Sequence, residues 1–258
     1  TPQSEPVAPA SKPVLLCLHG FLGSKRQWMS MGPRLADALD HDVYALDLRN
    51  HGESPHMFPH RYSDMARDIE AFVGALGIDR VSLMGHSMGG KVAMTLALTN
   101  PQLVDKLVVE DNVPCRVRLL HDYSYYIEGM KRIADQRVSS RKEGDAILQE
   151  YVHDPGMRRF VLSNLTKKES EGGAYYSWSI SLDNLNEGYR FMGGWSIPPS
   201  DSGADRVFGK PALFVCSKRS SYWTPARQPE IDRQFPQNEV VLLDAGHNVA
   251  WEQPDEFL

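Results

Sequence analysis

Ser82-Leu83-Met84-Gly85-His86-Ser87-Met88-Gly89-Gly90-Lys91 is the stretch that decides how this chain folds. The apolar run from Arg80 to Met84 predicts a strand, and Met88 to Thr99 predicts a helix ended by Asn100-Pro101. Between them Gly85-His86-Ser87-Met88-Gly89 fits the pattern G-x-S-x-G. In a strand–turn–helix context that pattern makes a sharp, strained turn, with glycines where side chains have no room, and lifts the serine hydroxyl clear of the sheet. The helix N-terminus adds partial positive charge there. Ser87 is therefore the candidate nucleophile, against the plainer reading of a glycine-rich turn with an idle serine.

Similar runs flank this unit. Val14–Leu18, Asp42–Leu46, Lys106–Glu110, Pro211–Cys216 and Glu239–Leu243 are largely apolar in succession, as strands covered on both faces require. Trp28–Leu39 and Ser63–Leu76 predict helices, the second with Ser63 as N-cap and Gly77 as its stop. Strands alternating with helices predict an α/β fold with a doubly wound, mostly parallel sheet. Its ligand crevice should lie at the carboxyl ends of the strands, where each motif falls. The alternation breaks between two core strands, in a stretch that reads as several helices with loops. The expected organisation is an N-terminal tail over 1–13, a core over 14–113 and 210–258, and an inserted helical cap over 114–209. Within the cap, Gly172-Gly173 and Pro198–Gly203 read as loops.

Size and charge narrow the function classes. A chain of 258 residues buries roughly 70–75% of the surface it would expose unfolded, and so needs no disulfide or metal staple. The formal charge of -5 provides no basic footprint for nucleic acid. Cys17, Cys115 and Cys216 are scattered, and Cys17 and Cys216 sit in strand-like runs, which makes them small buried hydrophobes in a reducing compartment. No apolar run approaches the length of a membrane span. The Pro/Ser/Ala-rich start, without Met, is consistent with removal of an upstream targeting segment. No phosphate-binding glycine loop or metal-ligand cluster is present, so neither cofactor nor metal is expected.

The remaining motifs complete a candidate site. His19-Gly20-Phe21 follows the first strand, and its turn would aim the Phe21 backbone N–H at the nucleophile, with the Met88 N–H as second donor of an oxyanion hole. His19 reads as a brace for that turn. Gly246-His247-Asn248 follows the last strand, where this architecture carries its general base. The usual place for the acid, after the strand ending at Cys216, reads Ser217-Lys218-Arg219-Ser220-Ser221-Tyr222-Trp223-Thr224 and holds no carboxylate. Asp111, at the end of the preceding strand, is the candidate to orient His247; Glu110 should point the other way, and Asp244 and Glu230 are the rivals. Phe21, His86 and Trp223 are the candidate pocket residues. Cap aromatics such as Tyr123, Tyr189 and Trp195 pack the cap, a few of them lining an apolar pocket. The cap's Arg116, Arg118, Lys131 and Arg132 read as a solvated face rather than a phosphate site.

These residues look familiar. Asp47-Leu48-Arg49-Asn50-His51-Gly52, the serine motif itself, Glu110-Asp111-Asn112-Val113-Pro114 and, in the cap, Arg158–Leu165 resemble the α/β-hydrolase-domain-containing protein 11 family. They most resemble its fungal mitochondrial branch, which includes yeast ethanol acetyltransferases, with bacterial esterases as relatives. The likeness covers nearly the whole chain from Pro13. It implies an α/β-hydrolase fold and a triad of Ser87, Asp111 and His247. The implied activity is cleavage of esters or thioesters of short to medium acyl groups, acyl-CoA among them, with water or a small alcohol as acceptor. A mitochondrial location goes with it; a monomer is expected separately. In this reading Arg49 and His51 fix the loop beside the serine turn. A ligand-sensing or partner-binding protein on a hydrolase scaffold is the rival from another class.

Overall fold

The computed structural model describes residues 12–119, 121–170, 173–197 and 203–258. Most of the N-terminal tail (1–11), residue 172 of the glycine pair and residues 198–202 of the Pro/Ser stretch lie outside the described residues.

The chain forms β1 (Val14–Leu18), α1 (Met31–Leu39), β2 (Asp42–Leu46), α2 (Tyr62–Ala75), β3 (Val81–His86), α3 (Met88–Thr99) and β4 (Val104–Glu110). Then come α4 (Tyr123–Gln136), α5 (Arg141–Leu148), α6 (Pro155–Leu162), β5 (Leu165–Lys168), β6 (Tyr175–Trp178) and α7 (Leu182–Met192). The chain ends with β7 (Ala212–Ser217), α8 (Gln228–Gln234), β8 (Asn238–Leu243), α9 (Val249–Glu252) and α10 (Pro254–Phe257). Six strands pair in parallel in the order β2-β1-β3-β4-β7-β8. The order makes β4 and β7 neighbours although α4 to α7 and the β5–β6 pair lie between them in sequence.

Alternation along β1 shows why both faces are apolar. Leu15 and Cys17 pack with Trp28, Met31 and Leu35 on one face, and Val14, Leu16 and Leu18 pack toward α2 and α3 on the other. Cys17 and Cys216 are fully buried and unbridged, and Cys115 is partly buried and also free. Burial alone raises the Cys17 thiol to about 12. The predicted Trp28–Leu39 helix is split: a 3-10 turn covers Lys25–Trp28, and α1 starts at Met31. Ser63 lies inside α2, one residue past its start, and the extended Arg61 takes the N-cap position. The stretch between β4 and β7 also contains a feature the sequence reading lacked, the antiparallel β5–β6 hairpin. Its strands are four residues each, and most of their positions are not buried.

The inserted segment is tied to the loops at the strands' carboxyl ends. Asn164 donates to the Leu22 carbonyl at 2.8 Å, Ser181 N–H donates to the Asn50 carbonyl at 3.0 Å, and Asn184 donates to Asn50 Oδ1 at 2.9 Å. Arg49 grips Asp68 with two nitrogens at 2.5 Å and donates to the Pro59 carbonyl at 2.9 Å. Lys131 and Arg132 are engaged at the surface by Asp183 and Glu150. Among the described residues no helix is long and apolar enough to cross a membrane.

The serine turn needs its glycines. A Cβ on Gly85 would lie 2.3 Å from the Gly89 carbonyl oxygen, and one on Gly89 would lie 2.4 Å from the Leu18 carbonyl oxygen. Both obstacles are backbone and cannot rotate away. Gly89→Ala must therefore push α3 off β1. We expect a loss of at least about 2–3 kcal/mol, the scale of a forced overpacking, which lowers Tm by roughly 5–10 °C in a domain of this size. Thermal melts of purified variant and parent check this; an unchanged Tm would mean the contact is not close.

Candidate active site

Ser87 stands between β3 and α3 with φ 52° and ψ −113°, a left-handed conformation that costs a non-glycine residue energy and persists only where the surroundings hold it. Its N–H donates to the Glu110 carbonyl at 2.9 Å, and Asn112 Nδ2 donates to the Ser87 carbonyl at 3.0 Å. The elbow is thus pinned from β4. Met88 opens α3, so its N–H has no carbonyl a turn back in the helix.

The turn after β1 lies against this elbow. A Cβ on Gly20 would be 2.7 Å from His86 Nδ1 and 3.4 Å from the Ser87 Cβ. His19 holds the turn from below: its Nδ1 donates to the Gly20 carbonyl at 2.8 Å and its Nε2 accepts the Leu48 N–H at 3.0 Å. Those bonds need the neutral ring, and burial lowers His19 to about 4. His51, whose Nδ1 donates to the Arg49 carbonyl at 3.0 Å, packs edge-on against His19 with ring centres 4.8 Å apart.

Three side chains from three loops meet. His247 Nε2 is 2.8 Å from Ser87 Oγ, and His247 Nδ1 is 2.6 Å from Asp111 Oδ2. A carboxylate only accepts, so Nδ1 carries the proton and Nε2 is left to accept the serine O–H. Asp111 is fully buried, at φ 45°, and its other oxygen accepts the Ser217 N–H at 3.1 Å. Both rivals lie elsewhere at the surface: Asp244 pairs with Arg219, and Glu230 with Arg233. A hydroxyl, an imidazole and a carboxylate in this sequence can move a proton off the hydroxyl as it attacks.

His86 lies beneath His247, with ring centres 4.7 Å apart, and its Nε2 donates to the His247 carbonyl at 2.8 Å. Burial, and then the neighbouring His247, hold His86 well below the usual histidine range, so this donor stays a neutral ring. Phe21 and His86 line the cavity over Ser87. Trp223 does not line the cavities beside Ser87: its indole donates to Gln228 Oε1 at 3.2 Å. Successive side chains diverge, and the preceding Tyr222 occupies the place instead, its ring centre 4.8 Å from that of His247. Tyr222 and Asn112 are the residues sequence reasoning left without a role. Asn112 lies two residues past the end of β4, and Tyr222 five past the end of β7.

The sequence profile described as alpha/beta hydrolase fold matches residues 13–254. The chain is 33% identical to sn-1-specific diacylglycerol lipase ABHD11 of Mus musculus, over 96% of this chain and 80% of that protein. It is 35% identical to a probable alcohol acetyltransferase of Saccharomyces cerevisiae, over 95% of this chain and 75% of that one. Among solved structures, a marine microorganism esterase superposes with a TM-score of 0.84 at 33% identity, covering 96% of this chain and 93% of the esterase.

Glu110 shares the strand end with Asp111 but turns away, its Oε1 accepting the Ala250 N–H at 2.8 Å while Oε2 is buried without a partner. Burial raises it to about 8. The folded state therefore holds a proton that the unfolded chain releases above the ordinary glutamate value, and stability falls as pH rises through that window. Glu110→Gln keeps the acceptor and removes the titration. Melting temperatures between about pH 5 and 8 should fall less steeply for the variant than for the parent, with the variant the more stable at pH 8. Parallel slopes would show that Glu110 does not titrate there.

Proposed function

The chain belongs to the alpha/beta hydrolase fold family, and from that membership we propose that it is a serine hydrolase that cleaves carboxylic esters or thioesters through an acyl-enzyme. The observation carrying this reading is the continuous contact from Ser87 through His247 to buried Asp111, at 2.8 and 2.6 Å. Ser87 Oγ attacks the acyl carbon as His247 Nε2 takes its proton. The N–H groups of Phe21 and Met88 receive the developing oxyanion, and His247 returns the proton to the leaving alcohol or thiol. Asp111 fixes the ring tautomer and stabilises the imidazolium. A second nucleophile then releases the acyl group: water for hydrolysis, a small alcohol for acyl transfer. The relatives' names, a lipase, an esterase and an alcohol acetyltransferase, support ester substrates with either outcome. Residues 14–113 and 210–258 act as the core and 114–209 as the cap over the crevice. The same reading takes acyl-CoA as a donor, with a mitochondrial location from the family resemblance and a monomeric protein.

Ser87→Ala should lose at least about 10⁴-fold in kcat on p-nitrophenyl acetate, within the scale of a triad knockout, and should no longer be labelled by a fluorophosphonate probe. Retained turnover or labelling would remove Ser87 as the nucleophile, and an unlabelled parent would favour the non-catalytic scaffold. Asp111→Asn should lose at least about 10²-fold, since it leaves the wrong tautomer, while Asp244→Asn and Glu230→Gln should stay within about fivefold of the parent. If the losses fell on either of those instead, the acid would be misassigned.

A further inference from the structure

Two cavities meet at Ser87, and they differ in size. One, of about 20 Å³, is lined by Phe21, Met88, Asn112, Leu119, Met192 and Tyr222; that is room for about one water-sized group. The other, of about 610 Å³, is lined by His86, His247, Met157, Phe160 and Trp251 and opens to the surface. Phe21 and Tyr123 line both and pack edge to face at 5.1 Å, which makes them the partition between the two.

The chemistry assigns a substituent to each cavity. In the tetrahedral adduct three groups radiate from the carbon bonded to Ser87 Oγ. The oxyanion points to the Met88 and Phe21 N–H groups. The leaving group must lie on the His247 side, because His247 Nε2 delivers its proton. The acyl chain takes the direction that remains. His247 lines only the larger cavity, which gives that one to the leaving group and leaves the smaller, lined by Met88, Leu119, Met192 and Tyr222, to the acyl chain beside the oxyanion. We infer that the small cavity is the acyl site and sets the chain's preference for acetyl-sized acyl groups, while the large cavity accepts a bulky, mainly apolar alcohol or thiol. This assignment rests on the Ser87 acyl-enzyme reading above and specifies its substrate class.

The small cavity has built walls. The Tyr62 hydroxyl donates to the Met192 carbonyl, and Val117 N–H donates to the Gly193 carbonyl at 2.9 Å, which fixes the end of α7 against the chain leading to Leu119. Leu119 lies beside Gly193: a Cβ at that glycine would be 3.8 Å from Leu119 Cγ. Leu119 also lines a surface groove of about 790 Å³ with His121, Tyr189 and Gly193. Its isobutyl group therefore closes the acyl site off from that groove and is the specificity-determining residue.

The test is a matched panel on parent, Ser87→Ala and Leu119→Ala: p-nitrophenyl acetate, butyrate and octanoate to vary the acyl group, and ethyl, phenyl and 2-naphthyl acetates to vary the leaving group. For the parent, kcat/KM should fall at least about tenfold from acetate to butyrate and again to octanoate, the usual effect of methylenes a pocket cannot hold. The acetates should show no loss from phenyl to 2-naphthyl. Leu119→Ala should raise the octanoate-to-acetate ratio at least about tenfold by joining the acyl site to the groove. A Ser87-dependent profile that is flat or rises with acyl length would overturn the assignment while leaving the hydrolase reading intact. An unchanged ratio in folded Leu119→Ala would overturn the gate. Turnover that does not depend on Ser87 would remove the underlying reading itself.

Discussion

At the junction of β1, β3 and α3 the backbones approach until no side chain fits between them. A methyl on Gly89 would meet the Leu18 carbonyl, and one on Gly85 would meet Gly89. That closeness forces Ser87 into a positive φ, which no serine would choose alone. The strain is offset by bonds from neighbouring strands: Ser87 N–H to Glu110, and Asn112 to the Ser87 carbonyl. Everything catalytic is referred to this point. The turn after β1 reaches the serine because α3 lies so near β1, and His247 reaches it because parallel pairing sends β3, β4, β7 and β8 out of the same edge.

Beneath the site, burial sorts like groups into unlike states. Glu110 and Asp111 are consecutive and both fully buried. Asp111 receives the Ser217 N–H and the His247 ring, and Glu110 receives one amide and is left with an unpartnered oxygen. Desolvation with so little compensation favours the protonated acid. The histidines divide by their partners. His19 and His86 are held neutral by burial; His19 bonds backbone groups through both ring nitrogens, and His86 through Nε2. His247 alone of the three faces a carboxylate on one side and a hydroxyl on the other. The scaffold histidines shape the site without competing for its proton.

The inner strands were legible because burial on both faces leaves a pattern no exposed element shares; Val14–Leu18 carries it in five residues. The serine turn was legible because its glycines are required by close contact. Asp111 followed from an absence after Cys216 and a presence after β4. The β5–β6 hairpin was not legible, because half-exposed strands of four residues give no periodicity to read. Ser63 looked like a cap because its hydroxyl could serve as one, but the chain is already helical at Tyr62, and no side chain caps that end. The pocket residues depended on tertiary convergence. Tyr222 and Trp223 are adjacent and both aromatic, and only the packed structure separates the one against His247 from the one bonded to Gln228.

Because β4 and β7 lie side by side, Asp111 and Ser217 are neighbours across the sheet, joined by the Ser217 N–H to Asp111 bond. The Ser217 hydroxyl donates to the Ala245 carbonyl, in the loop that carries His247. Two strand ends therefore look onto one imidazole from adjacent roots. Where a hydrolase of this architecture stores its negative charge is a property of the location and not of the strand. A lineage could carry the carboxylate from one root to the other through an intermediate bearing both, with the sheet, the elbow and the histidine loop left as they are.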